Sequence, residues 1–105
     1  MEKIIEISHN KSFEELKPKM LKKMESLRNA YAKEIDAYQI THNMDEKNGV
    51  LVVSCDKYNI SWYLVFLQNT LQLYEEAPVF VKPFIEIHRQ KFVDVVSSEL
   101  KGAIE

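Results

Sequence analysis

One cysteine, two glycines and three prolines among 105 residues set the first limits on this chain. A lone Cys55 has no internal partner, so no disulfide framework is possible and a reducing compartment is expected. With so few glycines, nothing resembles GxGxxG or GxxxxGK[ST], and a backbone cradle for phosphate is not expected. A basic surplus is missing as well: the net charge of −2 and pI near 5.9 argue against a nucleic-acid binder. No apolar run reaches the ~18–20 residues of a membrane span, and MEKIIEISHNK lacks the apolar centre of a signal peptide. A soluble, cytoplasmic protein is the expectation.

What is present is ordinary globular composition, with 46% apolar and 29% charged residues. The length suits one domain, residues 1–105. Its organising stretch is Tyr58–Tyr74. At a period of two, Tyr58, Ile60, Trp62, Leu64 and Phe66 share one apolar face, while Tyr63, Val65 and Leu67 point the other way. Gln68-Asn69 interrupts the run and Thr70–Tyr74 resumes the alternation, which predicts two antiparallel strands joined by a tight turn.

Before that stretch, Lys3–Ser8 reads as a first strand. Ser12 and Glu15 have capping-box spacing and open an amphipathic helix striped by Phe13, Leu16, Met20, Met24, Leu27, Tyr31 and Ile35. Pro18 predicts a kink or restart early in that helix. Ala37–Asn43 and Val50–Cys55 read as strands flanking the turn signal Asn48-Gly49. After the fifth strand, Glu75–Pro78 leaves the sheet. Pro83 suits the first turn of a last helix, with Phe84, Ile87, Phe92, Val95, Val96, Leu100 and Ala103 as its buried side. The expected fold is α+β: a two-layer sandwich of about five antiparallel strands and two amphipathic helices, in the order β-α-β-β-β-β-α.

Two helices on one face leave the other face of the sheet bare. Leu51, Val53, Tyr63, Val65, Leu67 and Tyr74 are the residues expected there, more apolar area than monomers usually expose. A homodimer through that face is therefore expected. The alternative is a closed monomer whose last helix covers the second face.

Chemistry-bearing motifs are sparse. His9, His42 and His88 have no HxH, HExxH or Cys/His ligand spacing, so neither a metal nor another cofactor is expected. Cys55 stands between Ser54 and Asp56, with no basic residue adjacent to activate it, and the acidic pairs Glu75-Glu76 and Asp45-Glu46 read as solvated turns. No catalytic residue is assigned and the chain is read as a non-enzyme. An acyl or other apolar ligand held between helices and sheet by Met20, Met24, Trp62, Phe66 and Phe92 is the second functional reading. An enzyme using Cys55 or a histidine is a third, with the least support.

The opening IIEISHNKSFEELKPKMLKKMESLRNAYA resembles that of the polyhydroxyalkanoic acid system (granule-region) family of small bacterial proteins. There too an Ile-rich strand ends in a histidine, here His9, before a helix of the type begun by Ser12-Phe13-Glu14-Glu15-Leu16. The close, PVFVKPFIEIHRQKFVDVVSSEL, resembles that family's turn into an amphipathic helix, and the likeness spans nearly the whole chain through short, apolar motifs. One departure is the absence of glycine in Cys55-Asp56-Lys57-Tyr58, where a different turn or bulge is expected. The resemblance implies a small cytoplasmic protein of polyester-granule metabolism, without established catalysis or cofactor. In that setting a hydrophobic granule surface or granule-associated proteins would be partners, with Tyr63, Val65 and Leu67 adsorbing to the polyester, beside the second copy expected from the sheet face.

Overall fold

Alternating apolar residues build the sheet, and the computed structural model, which describes residues 1–105, shows how the strands align. The strands are β1 (Glu2–Ser8), β2 (Ile40–Asp45), β3 (Val50–Cys55), β4 (Ile60–Phe66) and β5 (Thr70–Glu76). The helices are α1 (Phe13–Ala30), the short α2 (Ala32–Ala37) and α3 (Lys82–Ile104). All strand pairs are antiparallel in the order β1-β5-β4-β3-β2, so the first strand closes against the last. The chain is an α+β fold with one five-stranded sheet.

Register sorts the side chains into rows that cross the sheet. Met44, Leu51, Leu64, Leu73 and Ile5 make one row, and His42, Val53, Trp62, Glu75 and Glu2 the next. Both rows lie beneath the helices: Leu16 and Met20 of α1 and Leu100 and Ile104 of α3 join Ile5, Leu51, Leu64 and Leu73 in one core. Leu16, Met20 and Leu71 are fully enclosed, each stabilising the fold by about 2 kcal/mol on burial. The opposite face carries the rows Asn43, Val52, Tyr63, Tyr74 and Asp45, Val50, Val65, Gln72. Both helices pack on one side, so the expected alternative in which α3 covers the second face does not hold.

Local signals account for most of the boundaries. Ser12 caps α1: its hydroxyl accepts from the Glu15 N–H, and the Glu15 carboxylate accepts from the Ser12 N–H. Pro18 lies inside α1 without interrupting it, and the break falls instead at Tyr31, between α1 and α2. The second strand accordingly begins at Ile40, later than its sequence pattern predicts. Gly49 turns β2 into β3 at φ +63. In the glycine-free turn after β3, Asn59 takes the left-handed conformation at φ 57, which its short amide side chain tolerates. His9 joins β1 to the β4–β5 turn: its Nε2–H donates to the Leu67 carbonyl at 3.0 Å while Nδ1 accepts from the Lys11 N–H. Lys23 and Glu99, 2.8 Å apart, link α1 to the C-terminal half of α3.

Candidate functional site

Helix α3 carries more apolar residues than one buried stripe can use. Its C-terminal half sits on the core through Leu100 and Ile104. Its N-terminal half is held differently, by an ion pair to β5. Arg89 Nη2 donates to Glu75 Oε1 at 2.7 Å and Nη1 donates to Oε2 at 3.2 Å. Trp62 Nε1–H donates to the same Oε2 at 2.8 Å. Every buried side-chain polar atom has a partner, including those of Glu75, which is only 6% exposed. Hydrogen bonding to Glu75 raises the Arg89 pKa, against a smaller opposing effect of its burial.

Beside this pair lies a groove of about 560 Å³ between the N-terminal half of α3 and the strands below. Ile60 and Trp62 form its floor; Phe84, Ile85 and Phe92 of α3, with Phe80 just ahead of the helix, form its wall. Trp62 and Phe92 stack with ring centroids 5.8 Å apart and planes at 26°. Tyr58, Glu75 and His88 are the ionisable groups on the lining. Glu75 is already satisfied by Trp62 and Arg89, which leaves the exposed His88 ring and the Tyr58 hydroxyl as the polar groups available to a ligand. The volume falls within the ~300–1,000 Å³ typical of small-molecule sites.

The residues proposed from sequence for a ligand site divide in two. Trp62 and Phe92 line the groove, whereas Met20, Met24 and Phe66 pack in or against the core and do not reach it. Met20 is buried on the inner side of α1 and Phe66 on the sheet, where Phe66 meets Phe13 edge to face at 5.3 Å. The rest of the lining, including Tyr58, Ile60, Phe80, Phe84 and Ile85, lies outside the sequence-proposed set, and Phe84 is expected there on the buried side of the last helix. Phe84 is in fact 69% exposed, and Ile87 and Val95, also expected on the buried side, are 74% and 53% exposed.

The sheet-face residues divide too. Tyr63, Val65 and Tyr74 share the face that no helix covers, and Leu67 stands exposed in the β4–β5 turn. Leu51 and Val53 do not belong with them: Leu51 is 2% exposed and Val53 packs against the core. Pairing Leu51 with Leu64 and Val53 with Trp62 turns both toward the helices, and Val50 and Val52 take their places outside.

Glu75 is corrected as well: it belongs to β5 and is buried beneath α3, not solvated in a turn. Cys55 is buried, and its thiol donates to the Tyr38 carbonyl at 3.3 Å. His9 lies at the end of β1, His42 on β2 and His88 on α3, and no three His, Cys, Asp or Glu side chains gather as a metal site. No helix is long and apolar enough to cross a membrane. Comparison with family models, curated proteins and solved structures finds no match for the chain.

Proposed function

We propose that this chain is a non-catalytic binding domain whose groove beneath α3 takes an apolar, acyl-like ligand. The observation that carries the reading is the stacked Trp62–Phe92 pair, which joins the floor to the helix wall of a groove whose rim residues Phe80 and Phe84 stay in solvent. A fatty chain laid on those rings would lose apolar surface to water at about 25 cal/mol per Å². A polar head would remain at the mouth beside His88. The resemblance to the granule-region family makes a 3-hydroxyacyl chain the first ligand to try.

Trp62 is the only tryptophan in the chain, so its emission reports on the groove alone. Titration with 3-hydroxyoctanoate, octanoate and longer acyl chains should change that emission saturably and raise Tm. Unchanged emission and Tm at millimolar ligand would overturn the reading.

A second reading, association through the bare sheet face, draws on Val50, Val52, Tyr63, Val65 and Tyr74 standing side by side on β3, β4 and β5. In a granule setting these side chains would adsorb to polyester. Co-sedimentation with polyhydroxyalkanoate particles, lost in Tyr63→Glu, is the expected result. Full recovery in the supernatant would count against it.

A further inference from the structure

Helix α3 bears an apolar stripe that faces neither the core nor the groove floor. At ~100° per residue, Phe84, Ile87, Lys91 and Val95 fall within a sector of about 80° along the helix. The three apolar members are all more than half exposed, and Val79 and Phe80, 80% and 77% exposed, extend the patch ahead of the helix. These five side chains leave on the order of 600 Å² of apolar surface in water, the upper end of what monomers show. It is also most of the ~800 Å² that one partner contributes to a standard interface.

We propose that this stripe is a homodimer interface in which α3 packs antiparallel against α3 of a second copy. The order of the stripe favours a second copy over an unrelated protein. Its two ends, Phe84 and Val95, are both apolar, and Ile87 and Lys91 are the inner pair between them. A two-fold axis between Ile87 and Lys91 sets Phe84 against the partner subunit's Val95 and Ile87 against the partner subunit's Lys91. The methylene stem of that lysine covers the isoleucine while its ammonium stays in water. Phe84, Ile87 and Val95 each gain a counterpart, as an isologous contact requires. The second copy also walls the open side of the groove, since Phe84 belongs to both stripe and groove. The dimer stands whether or not the groove takes a ligand.

Sedimentation velocity and light scattering on the full chain from ~1 to ~100 µM test it. The wild type should show twice the 12.4 kDa chain mass. Phe84→Glu/Ile87→Glu should show the single-chain mass with unchanged circular dichroism, and the milder Ile87→Gln should raise the dimer dissociation constant at least tenfold. Tyr63→Glu, on the bare sheet face, should leave the dimer intact. A wild-type monomer at ~100 µM, or a dimer that survives the double substitution, would overturn the proposal. So would a dimer broken only by Tyr63→Glu, which would assign the interface to the sheet.

Discussion

Arg89 grips Glu75 with two parallel hydrogen bonds, 2.7 and 3.2 Å, from the middle of α3 to the last strand of the sheet. This contact, with Trp62 as the third partner of the carboxylate, fixes the helix above the sheet where the groove begins. Side-chain exposures of 19% for Arg89 and 6% for Glu75 make it a largely desolvated pair. Such pairs are costly to break and cheap to replace whole. Arg89→Met, which strands Glu75 without its cation, should therefore destabilise the fold by about 3 kcal/mol in urea unfolding. The double substitution Arg89→Met/Glu75→Gln, which removes both charges and keeps an acceptor for the Trp62 N–H, should recover most of that loss. Equal costs for the single and double variants would contradict the assignment.

Phe92 covers one face of Trp62. Phe92→Ala should cost about 2–3 kcal/mol, below the usual aromatic truncation range because Phe92 is only partly buried. The same substitution should red-shift Trp62 emission as water reaches the indole. An unshifted spectrum would mean that the ring is shielded by something else.

Gly49 turns β2 into β3 with φ +63, and a Cβ there would meet only ordinary contacts with Phe66. The penalty of Gly49→Ala is thus conformational, about 1–2 kcal/mol, and not steric. Asn59→Gly, at φ 57, should be neutral or slightly stabilising. Thermal unfolding of the two variants should separate them in that order.

Asp45 accepts hydrogen bonds from the side chain and the backbone N–H of Asn48. Chiefly through the side-chain bond, its pKa lies below the ordinary 3.8. A carboxylate lowered on folding contributes stability that is fully present above its unfolded pKa and is lost as pH falls through the folded value. The window is therefore acidic, beginning near 3.8 and running downward. In Asn48→Ala the Asp45 carboxyl should titrate closer to its ordinary value, read by carbon-detected NMR.

Much of this fold is legible in particular residues. The Ser12/Glu15 box and Asn48-Gly49 mark a helix start and a hairpin through chemistry confined to four residues, and both stand where the sequence puts them. The alternation from Ile60 to Phe66 likewise identifies the core face of β4. Leu51 and Val53 were misplaced because VLVVSC is apolar on both sides, so alternation carries no sign there. Only the Val53–Trp62 pairing, a contact across strands, settles which way they point. Glu75 follows Leu71 and Leu73 on the inward face, yet its charge suggests solvent. Its partner Arg89 is 14 residues away on α3, beyond the reach of local pattern. On α3 itself, the apolar residues compose two stripes, one on the core and one in water, which a single periodicity merges. The groove arises between them and is a product of packing.

The central claim is that the floor of this groove receives a ligand, and the indole N–H of Trp62 gives it a single-resonance test. In a nitrogen–proton spectrum that signal, with the amides of Phe84, Ile85 and His88, should shift and saturate as a 3-hydroxyacyl chain is added. The amides of Val50, Val65 and Gln72, three residues along the strands from the row of Trp62, should move little. A stationary Trp62 indole signal at saturating ligand, or shifts confined to the bare sheet face, would contradict it.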